Sequence, residues 1–196
     1  MLNPGKSITS GLSLAALLVL TGCSTVGGFH GGNVMSSPQY SKVRTLMEDG
    51  RYSQSIPLLK QMLAAKPEQP DLSVNLAIAY RETGQPDEAA NILQSVLEKH
   101  PNHTAALNQF GIVERQLGHF DKALSAYQHA ISVDDDYALA HRNLGILYDI
   151  YLQKTDDALK QYEKYLALSD NGDKEVENWI IDLKRRIGAA QNEDKP

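Results

Sequence analysis

Few residues of this 196-residue chain have the types and spacing for chemistry. His100 and His103 flank Pro101-Asn102. Two imidazoles so placed can share a metal ion, but further ligands must converge on it, and the Pro-Asn dipeptide is already accounted for as a helix stop and turn. Asp134, Asp135 and Asp136 lack the alternating ligands, glycine and distal glutamate of a calcium loop, so they read as a solvated turn. His119, His129 and His141 read as surface. Cys23 is the only cysteine, which excludes an intrachain disulfide. No GxSxG, HExxH, phosphate-binding loop or GxGxxG is present. With no nucleophile–base pair, the expectation is a protein that is not an enzyme and holds no metal or diffusible cofactor. A net charge of −5 and the lack of a basic run interleaved with aromatics argue against nucleic acid.

The stretch Thr104 to Tyr137 organises the chain. Leu107, Phe110, Gly111 and Leu117 fall at helical spacings, and Phe120, Ala123, Leu124, Tyr127, Ala130 and Ile131 form a second helical stripe. Gly118 between them can take the left-handed conformation that ends a helix. One such hairpin cannot bury both apolar faces alone. Copies recur every 34 residues: Gly50, Gly84 and Gly118 at the hinge, and Val43, Ala77, Gly111 and Gly145 where one helix must approach another. Ser55, Ala89 and Ala123 make another small column and Leu59, Leu93 and Tyr127 a bulky one, continued one residue late by Ala158 and Tyr162. Pro67 and Pro101 close their repeats, with Asp135 in that place in the third.

This pattern resembles the tetratricopeptide repeat (TPR) from Ser36 to about Ser169. The predicted fold is all-α: a solenoid of about four helix-turn-helix repeats (36–69, 70–103, 104–137 and 138–169) closed by a C-terminal capping helix. The copies depart from the family in places. A usually aromatic position is Tyr80 and Tyr148 in two repeats but Leu46 and Glu114 in the others. Pro57 lies early in a helix, where it loses little hydrogen bonding. The fourth copy replaces its hinge glycine by Leu152-Gln153-Lys154-Thr155 and gains a residue, so its first helix runs longer or ends in a different turn.

Before the repeats, Lys6 and the apolar run Ile8 to Leu20 have the form of a secretory signal. Leu20-Thr21-Gly22-Cys23 resembles the lipobox of bacterial lipoproteins. The resemblance implies removal of residues 1–22, a diacylglycerol on the Cys23 thiol and often an acyl chain on its new amine, enough for stable anchoring. Ser24, where an aspartate would favour inner-membrane retention, implies the periplasmic leaflet of the outer membrane. Residues 23–35, with two Gly-Gly pairs, read as the lipidated cysteine and a flexible tether. After the repeats, Val176, Trp179, Ile180, Leu183 and Ile187 form the stripe of the capping helix, 173–188, which a solenoid needs over its last apolar face. Trp179 is expected to pack inward and residues 189–196 to be a disordered tail.

What remains for function is a surface. In TPR superhelices the first helix of each repeat lines a concave groove, mainly through positions 2, 5, 6, 9, 12 and 13. Carried onto this sequence, position 9 gives an exposed column of Ile78, Ile112 and Ile146, and position 6 the amides Asn75, Gln109 and Asn143. Position 12 gives Arg81 and Arg115, and position 5 Asn108 and Arg142. Such a groove suits a peptide segment with spaced apolar side chains and some acidic character. The two-carboxylate clamp of chaperone-binding relatives is not arranged here. The reading is a non-enzymatic, periplasm-facing lipoprotein that binds a protein partner and scaffolds an envelope assembly. The alternatives are a pilotin-like factor for secretin or pilus biogenesis, and an adaptor of peptidoglycan hydrolases.

Overall fold

The computed structural model describes residues 34–169 and 172–193. Cys23, the apolar run before it and most of the expected tether lie outside them. A short 3₁₀ turn, Val34–Ser36, leads into α1, Pro38–Glu48, whose start is set by Pro38 in the first turn and by the Ser37 hydroxyl, which accepts the Tyr40 N–H at 3.1 Å. Then follow α2 (Tyr52–Ala65), α3 (Pro70–Glu82), α4 (Pro86–Lys99), α5 (Thr104–Gln116), α6 (Phe120–Val133), α7 (Ala138–Ile146), α8 (Thr155–Leu168) and α9 (Lys174–Glu193). Pro57 is accommodated within α2. Each of the pairs α1/α2, α3/α4, α5/α6 and α7/α8 is one hairpin.

Three hinges are made alike. Gly50, Gly84 and Gly118 have φ of 70°, 76° and 82°, conformations that cost a side chain dearly. Each closes its helix with paired backbone bonds: Gly118 N–H to the Arg115 carbonyl and His119 N–H to the Glu114 carbonyl, at 3.1 and 2.8 Å. The fourth hinge differs. Leu147–Tyr151 continues α7 as a π-helical turn, where the extra residue is absorbed, and Gln153 takes the left-handed role at φ 53°. Lys154 N–H then reaches the Tyr148 carbonyl at 2.8 Å.

The small-against-large columns account for the packing. A β-carbon on Gly111 would stand 2.5 Å from the Tyr127 ring, and one on Gly145 2.5 Å from the Tyr162 ring. Both tyrosines are fully buried by this approach. Tyr127 and Tyr162 share a core with Leu144, Leu147, Ala158, Val176 and Leu183, so α9 is built into the stack. Trp179 packs on Tyr162 with ring centroids 5.3 Å apart. The helix runs to Glu193, well past Gly188, so the tail expected to be disordered is helical as far as Glu193.

The surface reading of His141 is overturned. His141 is buried, because the repeat places it in the column of Leu107. Its Nε2 donates to the Asp135 carbonyl at 2.9 Å and its Nδ1 meets Gln161 Oε1 at 2.8 Å. Glu114, in the aromatic column, is also buried, and its carboxylate is met by His119 Nδ1 at 2.6 Å and Lys122 Nζ at 3.6 Å. His103 is an N-cap: its Nδ1 accepts the Ala106 N–H at 3.2 Å, leaving Nε2 to Asp71. Among the described residues no group of three or more His, Cys, Asp or Glu could hold a metal ion, and no helix is long and apolar enough to cross a membrane.

Candidate functional site

The groove depends on how the first helices stand. Helix α3 packs on α5 and α5 on α7, besides the contacts within and between successive hairpins, while no two second helices approach as closely. The first helices therefore crowd one side of the stack, which fixes that side as the inner one.

The three isoleucines are not the exposed column expected of them. Ile78, Ile112 and Ile146 are half-buried, Ile78 against the core of the second and third repeats and the other two against the Tyr127–Tyr162 core. Neighbouring first helices pack together here, so part of each side chain is covered.

The amide column is mostly committed to the fold. The Asn143 Nδ2 amide donates to Asn108 Oδ1 at 2.9 Å, and both residues are buried. Asn75 Nδ2 donates to the Tyr40 hydroxyl at 3.0 Å. These bonds follow one rule: position 5 of one repeat pairs with position 6 of the next. At the junction of the second and third repeats position 5 is Val74, which has no polar atom, and Gln109 Oε1 is left buried without a partner. Asn75, Asn108 and Asn143 are thus helix-to-helix ties and are corrected from groove ligands to structural ones.

Arg142 is likewise withdrawn from the groove. Its guanidinium lies 5.2 Å from the centroid of the Trp179 ring and within 3.8 Å of Asp173 and 3.3 Å of Glu175, at the start of α9. Asp173 caps α9 by accepting the N–H groups of Glu175 and Val176 at 3.0 and 3.2 Å. Although desolvation works against its charge, the Val176 N–H, the Tyr165 hydroxyl, the Glu175 N–H and Arg142 together hold its carboxyl below the usual carboxylate range.

Arg81, Ile112 and Arg115 are the predicted site residues that the structure does bring together. They line an open cavity of about 420 Å³ with Gln116, Gly118, Phe120 and Tyr151. Among the described residues Arg81 pairs only with its neighbour Glu82, and its Nε is buried without an acceptor. Among the described residues no carboxylate pairs with Arg115; its guanidinium carbon stands 5.7 Å from the centroid of the Tyr151 ring. Tyr151 in turn packs on Phe120, centroids 4.9 Å apart. The reading from sequence missed Tyr151. The signal was there in the inserted residue of the fourth repeat, whose π-helical turn carries this side chain.

Comparison with known proteins agrees with this architecture. The "Tetratricopeptide repeat" family model matches residues 46–109, and the "TPR repeat" model residues 111–149. The human FK506-binding protein-like protein is 34% identical over 79 residues, 40% of this chain and 23% of that protein. Human Superkiller complex protein 3 is 30% identical over 110 residues, 55% of this chain and 7% of its own length. The chain thus spans less than a quarter of the curated relatives it matches. Among solved structures, a thermophilic TPR protein of Thermus thermophilus superposes with a TM-score of 0.66 at 22% identity, covering 76% of this chain and 81% of that one. YrrB, described as a TPR protein with an unusual peptide-binding site, superposes with a TM-score of 0.55 at 26% identity, covering 68% of each chain.

Proposed function

This chain is a tetratricopeptide repeat protein, and we propose that it is a non-enzymatic adaptor whose concave face holds a segment of a partner protein. The observation that carries this reading is the inner row of α3, α5 and α7. It presents partly buried isoleucines beside a cavity whose two arginines lack a matching pair of carboxylates among the described residues. The side chains have the mixture of apolar contact and directional polar groups that a peptide site needs. The likeness to YrrB, itself described as having a peptide-binding site, supports the same class of ligand.

The proposal extends to the anchor. Cys23 is lipidated with a diacylglycerol, and the repeats face the periplasm from the outer membrane, where the groove recruits one component of an envelope assembly. The support is the Leu20-Thr21-Gly22-Cys23 sequence after an apolar run, with Ser24 following. Export of a secretin or pilus subunit, and docking of a peptidoglycan hydrolase, are two assemblies that such an anchored groove would serve.

The test is crosslinking in cells from a photoreactive residue at Ile78, Ile112 or Ile146. The expected result is the same protein, identified by mass spectrometry, at two or more of these positions and none from Glu98 on an exposed face. Capture that does not differ between the two faces would overturn the groove. Cys23→Ala, in parallel, is expected to move the protein from the membrane fraction to the soluble one; persistence in the membrane would overturn the anchor alone.

A further inference from the structure

The cavity lined by Arg81, Ile112, Arg115, Phe120 and Tyr151 is not a product of the repeat pattern alone. It owes one wall to the irregularity of the fourth repeat. A regular hinge there would end α7 at a glycine, as Gly118 ends α5. The π-helical turn Leu147–Tyr151 instead sets Tyr151 against Phe120 of the preceding repeat and under the Arg115 guanidinium. Tyr151 is nonetheless 43% exposed, so a large aromatic face stays open to a ligand.

The charges at this place are unbalanced. Among the described residues Glu82 pairs with Arg81 and no carboxylate pairs with Arg115, and Arg81 Nε is buried with no acceptor, in a chain that carries a net charge of −5. An aromatic face under a guanidinium holds it in place while leaving its N–H fork available, and that fork matches a carboxylate. The volume, about 420 Å³, suits one or two side chains. The inner face continues past the cavity, to Ile78 on α3 and Ile146 on α7, which leaves room for a chain that runs on beyond it.

We propose that this cavity is a specificity pocket for an aspartate or glutamate within an extended peptide, the carboxylate taken by Arg115 with Arg81 and a neighbouring apolar side chain resting on Ile112, Phe120 and Tyr151. The proposal rests on the groove reading and adds to it the chemistry that selects the partner. Arg115 is the primary contact, because among the described residues it has no competing carboxylate; Arg81 must share itself with Glu82.

The experiment is selection of random dodecapeptides, displayed on phage with their carboxyl ends fused and so unavailable, on the immobilised full chain in detergent. The enriched sequences are expected to share an acidic residue at a fixed distance from an aromatic or branched aliphatic one. In synthetic versions, replacing that acid by its amide is expected to weaken binding about tenfold or more, the scale of a charge-assisted hydrogen bond. The same replacement should change binding to Arg115→Gln by less than about twofold, with Arg115→Lys intermediate. The thermal midpoint of each variant, compared with the parent, shows that the fold is intact. Enriched sequences without an acid, or an acid whose loss Arg115→Gln feels equally, would overturn the pocket and leave the groove standing. Enrichment only from a companion library with free carboxyl ends would likewise overturn it, by assigning the arginines to chain termini. Selection that enriches nothing from either library would remove the groove and the pocket together.

Discussion

Arg115 and Arg142 stand on the first helices of consecutive repeats, and the family's pattern assigns both to the groove. The structure treats them in opposite ways. Arg115 lies at the hinge end of α5 over an aromatic ring, beside an open cavity and away from any carboxylate among the described residues. Arg142 is held on α7 between Asp173, Glu175 and the face of Trp179. The difference comes from position along the stack. Helix α9 takes the place a fifth repeat would occupy, and its first turn needs a cation to satisfy its acidic residues. A groove position at the hinge end of an interior repeat, as at Arg115, is open to a ligand, whereas Arg142, at a different repeat position beside the cap, serves the cap.

The largest expected effect comes from removing the wall that holds Arg142. Trp179→Ala is expected to destabilise by about 2–3 kcal/mol, less than a fully buried tryptophan because Trp179 is only half-buried. Urea unfolding checks this; a loss under about half a kcal/mol would mean that α9 is not part of the cooperative unit. Next comes a matched pair of substitutions. Arg142→Gln is expected to cost about 1 kcal/mol in the same experiment, through its lost contacts with Asp173 and Trp179, and to leave peptide binding unchanged. Arg115→Gln is expected to do the reverse: a stability change within about 0.5 kcal/mol, with the binding defect described above. The smallest effect separates the two hinges. Gly118→Ala at φ 82° is expected to cost about 1 kcal/mol, whereas Gln153→Gly at φ 53° is expected to gain up to about 1 kcal/mol. Equal signs would show that the fourth hinge is not held in the left-handed conformation.

The same comparison explains how much was legible beforehand. Backbone-level features were read directly, because each depends on a residue type at a fixed interval: Gly118 at a left-handed turn, Gly111 under Tyr127, Gly145 under Tyr162 despite the one-residue shift. The site was legible only in part. A repeat position says which way a residue leaves its own helix, but not what the next helix puts in front of it. The pairing of Asn108 with Asn143, and of Asn75 with Tyr40, links repeats through side chains 35 residues apart, one more than the period. No column of equivalent positions displays that relation. Ile112 reads as exposed in the sequence for the same reason, since the core shared with the next repeat partly covers it. His141 could have been placed inside, because its column is that of the buried Leu107.

The two amide ties have a mechanical consequence. Repeats one and two are stitched across their first helices by Asn75 and Tyr40, and repeats three and four by Asn143 and Asn108. At the middle junction, a seam where Val74 offers nothing to Gln109, the repeats are held by the apolar core they share and by α3 on α5, without an amide tie. Arg81 stands on one side of that seam and Arg115 on the other. A ligand that engages both guanidiniums therefore spans the junction of first helices that has no amide tie of its own.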